Sequence, residues 1–245
     1  MDGGCWLNFP LCTDSIPLRM APRRSGGSSY YGSWNDESRW NQEISFSLDL
    51  VYKKSLFIAA FAFDVLTLAA LIAFLVWACT IRNHKGQLKG VIFALLSWFL
   101  AVALGVIYSI FFFAEATVTY YYVIVLMLQY FFGVLTDCLI LFVFYNIIHG
   151  LLNGLTDSGK PYAIVQIVHW VLLGIMSAIS IATWGLYVAF EVAFINSNIT
   201  YYLEHNMSLL SASRSIILWV MTLEILAWTT FVAAKSHRFA SKVSV

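Results

Sequence analysis

Beyond residue 54 the chain is written in long apolar runs broken by short polar stretches. Five runs exceed the roughly 20 residues that a helix needs to cross a hydrocarbon core of about 30 Å. They are Ser55 to Thr80, Gly90 to Phe113, Tyr121 to His149, Ala163 to Phe190 and Ser211 to Ala234. Inside lipid a backbone must satisfy its own hydrogen bonds, so such runs predict transmembrane helices. The expectation is an all-α, polytopic transmembrane bundle of five spans. Residues 1–54 break the pattern, with three of the four prolines and a low-complexity patch at residues 23–29, and read as a mostly disordered segment. No apolar stretch follows a basic start there, so the first span is expected to act as the insertion signal. Ile44 to Leu50 alternates with period two, which suits either a plain linker, the preferred reading, or an extended segment against the bundle mouth. Residues 55–234 form the transmembrane domain and 235–245 a short basic tail.

Composition agrees with this pattern. The chain is 60% hydrophobic and 11% charged, against about 25% charged in a soluble domain. That excludes a cytosolic enzyme domain, and a net charge of +1 gives no reason to expect a nucleic-acid partner. The partner implied is the lipid bilayer, in a plasma membrane or endomembrane, with homo-oligomers or other membrane proteins left open. Trp77, Tyr108, Tyr121, Tyr122, Tyr187 and Trp228 lie near span ends, where amphipathic rings suit the headgroup level.

Lys and Arg are retained on the cytoplasmic side. Arg82, Lys85 and Lys89 follow the first span, Lys160 lies in the third loop, and Lys235, Arg238 and Lys242 lie in the tail, whereas the second and fourth loops carry Glu115, Glu191 and Glu204. The C-terminus is therefore expected inside and the N-terminus outside, although Arg39, Lys53 and Lys54 pull the other way. The sequons at Asn198 and Asn206 both fall in the fourth loop, on the side expected to be outside, so a glycoprotein is the corresponding expectation. Asn198 is the better acceptor because Asn206 lies close to the next span.

Candidate chemistry is confined to a few positions. Formal charge within the spans is limited to Asp64, Asp137, Arg214 and Glu224. An ionisable group at mid-bilayer costs at least about 2.5 to 3.5 kcal/mol, which marks it as a candidate site. Asp64, Gln129, Asp137 and Glu224 form the candidate intramembrane polar site, with Gln129, Gly133, Thr136 and Asp137 on one broad side of the third helix. Such carboxylates either make a protonatable or cation-binding site or fasten helices to one another, and fastening is preferred. Arg214 is expected to snorkel to the headgroups rather than to partner an acid. Small residues at Ser97, Ala101 and Gly105, and at Gly174, Ala178 and Ala182, are expected to let helices approach closely.

Cofactor signals are weak. Haem would need two axial ligands facing each other at one depth, for which His149 and His169 are the candidates, and the expectation is no haem. No His-Glu-x-x-His or Cys-x-x-Cys supports zinc, and no cofactor is expected. Residues 154–161 approach a phosphate-binding loop, but Pro161 stands where Ser or Thr must hold magnesium, and the segment follows a helix, not a strand. Cys5 and Cys12 can pair if the tail is outside, and Cys79 is placed for palmitoylation, with unmodified thiols the default for these and Cys138.

Gly159-Lys160-Pro161-Tyr162, His169-Trp170 and Trp184-Gly185-Leu186-Tyr187 resemble the multi-pass integral membrane proteins of unknown function found in filamentous fungi. Many of that group look like seven-helix proteins, so the resemblance implies five consecutive helices of such a bundle. It brings no activity or catalytic residue. The resulting expectation is a non-enzymatic, receptor-like or scaffolding membrane protein. The alternative is a small transporter or proton-coupled carrier using Asp137 and Glu224, against which the odd helix count rules out two equal repeats.

Overall fold

The computed structural model describes residues 39–46, 54–80, 87–154, 163–196 and 201–243. Cys5, Cys12, Asn198, the segment with Arg82, His84 and Lys85, and Gly159 to Tyr162 lie outside the described residues. A 3-10 turn at Arg39–Asn41 leads into strand β1 (Glu43–Ser45), followed by α1 (Lys54–Thr80), α2 (Gln87–Phe113), β2 (Thr117–Thr119), α3 (Tyr122–Gly154), α4 (Ala163–Ile195) and α5 (Tyr201–Val243). All five helices are long and apolar enough to cross a membrane. Their outer faces carry large apolar side chains, such as Phe63 at 70% and Ile164 at 73% exposure. Water would penalise that surface and hydrocarbon does not.

Successive helices run antiparallel. Phe57 near the start of α1 meets Phe112 and Phe113 at the end of α2, Tyr130 stacks on Tyr187, and His149 meets His169. The bundle thus has a ribbon end, where α1, α3 and α5 begin, and a histidine end, where they finish. The buried core lies between α3, α4 and α5, around Leu141, Ile148, Leu152, Met176 and Met221. α1 packs chiefly on α2.

Helix bounds differ from the expectation at both ends of α5. It begins at Tyr201 rather than Ser211, so Asn206 lies on an exposed helical turn instead of in a loop, and it continues past Ala234 to Val243. Leu209, Leu210 and the preceding tyrosines continue the apolar helical pattern toward the ribbon end, which the charge of Glu204 had masked.

Only one of the two small-residue stripes packs as expected. On α2, Ser97 donates to the Phe132 carbonyl at 3.0 Å, Ala101 is buried, and the Gln129 amide lies over Gly105, where an added Cβ would come within 2.8 Å of its nitrogen. On α4, Gly174, Ala178 and Ala182 are exposed instead, and a Cβ on Gly174 would meet nothing within 4 Å. The inward face of α4 is taken by His169, Leu173, Met176, Ser180 and Thr183. Polar side chains left facing hydrocarbon cost more than a lost close approach of small ones, so they decide which way the helix turns.

The segment before α1 also differs from the plain-linker reading. β1 pairs antiparallel with β2 in the register Glu43 to Thr119, Ile44 to Val118 and Ser45 to Thr117. The Phe46 amide extends the ribbon to the Ala116 carbonyl at 3.0 Å, and its ring is buried among Tyr108, Phe111, Phe112 and Tyr122. The β-branched run Thr117 to Thr119 favours an extended edge, and the buried Phe46 anchors the partner strand to it. The fold is therefore a helical bundle carrying one short ribbon at its mouth.

α2 ends in a Schellman turn. The Ala116 amide bonds the Phe111 carbonyl at 3.0 Å, the Glu115 amide reaches the Phe112 carbonyl at 3.4 Å, and Glu115 takes φ 47°. That left-handed position normally falls to glycine, because a Cβ there costs about 1 to 2 kcal/mol. Glu115→Gly should raise stability by about 1 kcal/mol, read as an upward shift of the unfolding midpoint of the purified protein in detergent.

Candidate functional site

The four candidate residues do not form one site. On α3, Gln129 and Thr136 turn toward α2: Gln129 lies over Gly105, and Thr136 donates to the Phe132 carbonyl at 2.7 Å, the same oxygen that accepts from Ser97. Asp137, a further 100° around the helix, turns to α5. Gly133 is not a close-approach point, since an added Cβ would meet nothing within 4 Å. Asp64 is half-buried on the side of α1 that carries Phe61, Leu71 and Ala78, apart from the other three residues.

Asp137 forms a salt bridge with Arg214, whose side chain is 6% exposed. This corrects the expectation that Arg214 snorkels. The Arg214 guanidinium is turned inward onto Asp137 and buried between helices, not extended outward. The pair is continued toward the ribbon end by aromatic groups. Tyr130 lies beside Arg214 and Ser211, stacks on Tyr187 at 4.5 Å between ring centres, and Tyr187 lies beside Glu191. Three buried polar atoms, His169 Nε2, Arg214 Nε and Ser180 Oγ, make no aligned hydrogen bond, the first having Glu224 Oε1 within ion-pair distance only.

Glu224 belongs to a second cluster nearer the histidine end. The Tyr145 hydroxyl donates to Glu224 Oε2 at 2.8 Å, and His169 Nε2 lies 3.1 Å from Oε1. His169 Nδ1 faces His149 Nε2 at 2.8 Å. The Tyr145 and His169 rings stack with centres 4.2 Å apart and planes 10° from parallel, and Trp228 closes the far side edge-on at 6.0 Å. One side chain each from α4 and α5 thus joins two from α3. The histidine nitrogens face one another directly and do not converge on a common point, so a porphyrin has no room between them. Among the described residues no three His, Cys, Asp or Glu side chains are arranged to hold a metal ion.

An apolar layer separates the clusters. Leu141, Met176 and Met221 are buried and pack in one core group, with Leu141 between Asp137 and Tyr145 on α3 and Met221 between Arg214 and Glu224 on α5. The eight residues from Asp137 to Tyr145 span about 12 Å, and the ten from Arg214 to Glu224 about 15 Å. An apolar groove runs between α1 and α2, lined by Thr67, Leu71, Phe74, Trp77, Val91 and Trp98, and none of the four candidate residues lines it.

No family model, curated protein or solved structure matches the chain. The site is thus read from its own geometry.

Sequence reasoning weighed His149 and His169 only as haem ligands and passed over Tyr145. One signal was available. In an up-and-down bundle α3 and α5 run parallel, so groups spaced alike on both, Asp137 with Tyr145 and Arg214 with Glu224, can meet as two pairs. That α3 touches α5 at all was not legible.

Arg214→Ala should destabilise the protein by up to about 3 kcal/mol, because it leaves the half-buried Asp137 without a counter-charge. The double change Asp137→Leu with Arg214→Met should recover most of that loss, giving strong coupling in a double-mutant cycle of unfolding free energies. Additive effects would show that the two side chains act separately.

Proposed function

We propose that this chain is a non-enzymatic integral membrane protein with a receptor-like or scaffolding role. The observation that carries the reading is the fate of the two mid-membrane acids. Asp137 is held by Arg214, and Glu224 by Tyr145 and His169, on opposite sides of the layer of Leu141, Met176 and Met221. A carrier using both acids needs them to share a cavity that opens in turn to each side. Here each acid fastens α3 to another helix.

The charge distribution supports an orientation. Lys89 and Lys235 lie at the histidine end, and Glu43, Glu115, Glu191 and Glu204 at the ribbon end, with Arg39 and Lys54 the exceptions. By retention of basic residues on the cytoplasmic face, the histidine end and the C-terminus are inside and the ribbon end outside. The outer contact surface then comprises the ribbon and the α4–α5 connection, where Asn198 is the preferred glycan acceptor and the helical Asn206 the poorer one. Membership of the fungal multi-pass group, residence in a plasma membrane or endomembrane, and association with other membrane proteins or with a second copy belong to the same proposal.

The test is proton flux in proteoliposomes under an imposed pH gradient. Native protein should give no flux above empty liposomes, and Asp137→Asn and Glu224→Gln should lower thermal stability without changing flux. Native flux that disappears on neutralising either acid would replace this reading with the proton-coupled carrier.

A further inference from the structure

The cluster at the histidine end contains more titratable groups than helix fastening requires. Two imidazole nitrogens facing at 2.8 Å hold one hydrogen between them. If His149 Nε2 carries it, His169 Nδ1 accepts, and the remaining N–H of a neutral His169 sits on Nε2, which lies 3.1 Å from Glu224 Oε1 without being aligned to it as a hydrogen bond. The opposite tautomer would aim a nitrogen lone pair at a carboxylate oxygen. The first arrangement therefore goes with ionised Glu224, which also accepts from Tyr145. It leaves His149 Nδ1 as the open basic atom, on a half-buried residue near the end of α3, whereas His169 is 1% exposed.

We propose that His149, His169 and Glu224, with Tyr145 as a fixed donor, form a single-proton binding site loaded from the histidine end. An incoming proton bonds to His149 Nδ1. The proton on His149 Nε2 passes to His169 Nδ1, and the proton on His169 Nε2 passes to Glu224 Oε1 once the imidazole tilts to align that N–H with the carboxylate 3.1 Å away. Each imidazole ends neutral with its hydrogen on the other nitrogen, and the carboxylate becomes a carboxylic acid. The net change is one proton gained and one half-buried charge removed. A carboxylate among helices with no cationic partner is costly even when it accepts a hydroxyl, which makes the loaded state the better packed one. A second proton would put hydrogens on both facing nitrogens and break the histidine contact.

The titratable groups facing this cluster are Tyr145 and His149 from α3, His169 from α4 and Glu224 from α5, with Trp228 uncharged at its edge and the Cys138 thiol against the adjoining core. The Asp137–Arg214 pair lies beyond the apolar layer and is internally compensated. The path stops at Leu141, Met176 and Met221, so the proton enters and leaves at one end. Because the cluster joins three helices, its occupancy reports pH on that side as tighter or looser packing. This goes beyond the scaffolding reading and is tested separately, since flux reads passage through the bilayer and titration reads occupancy.

The experiment is a pH titration of the full chain in lipid nanodiscs, with 15N-labelled histidine followed by NMR and the unfolding midpoint measured in parallel. The expected result is two histidines whose ring nitrogens change together in one pH step, and a midpoint that falls as pH rises through it. Glu224→Gln should abolish the coupled step and flatten the stability profile. Tyr145→Phe, which only removes a donor to the carboxylate, should move the step to higher pH and keeps the test open if Glu224→Gln fails to fold. Independent titration of the two histidines, or an unmoved step in Tyr145→Phe, would overturn the proposal.

Discussion

Hydrocarbon does not compensate a polar group, and the arrangement of this bundle follows from that constraint. Each helix satisfies its own backbone, and hydroxyls without a neighbour return to it, as Thr67, Thr183, Ser213 and Thr222 do by bonding the carbonyl four residues before. Charged side chains have no such local outlet. They must be turned toward one another, and turning Asp137 to Arg214 and Glu224 to Tyr145 and His169 fixes how α3, α4 and α5 rotate about their axes.

Magnitudes show which contacts decide. Interhelical hydrogen bonds in membranes average about 0.6 kcal/mol, so Ser97 to Phe132 trims the α2–α3 fit without setting it. Uncovering a buried charge costs about 3 to 5 kcal/mol, several times more. The same ordering explains α4, where His169 faces the core while Gly174, Ala178 and Ala182 face outward. It also sets the limits of the polar clusters. Leu141, Met176 and Met221 keep them apart, so each acts within its own half of the bundle.

The legible parts of the sequence were those governed by length and local pattern. Five apolar runs gave five helices, since the span of the bilayer alone sets that number. Helix ends were less legible: Glu204 and Ser208 interrupt the apolar run before Ser211, yet α5 begins at Tyr201 because polar residues can extend a helix beyond the hydrocarbon. The period-two run at Ile44 was visible, but its partner, Thr117 to Thr119, lies beyond two helices. Arg214 was read as snorkelling because nothing on α5 alone shows that Asp137 of α3 faces it.

The sequence by itself determined that the chain suits a membrane, which five segments are long and apolar enough to cross it, and which few residues would be costly there, because these depend on the hydrophobicity of contiguous segments. Only the tertiary structure decided which charges meet, which small-residue stripe is used and that the two histidines touch. Those outcomes depend on the rotation and adjacency of separate helices, and a chain of uniformly apolar spans carries almost no local record of either.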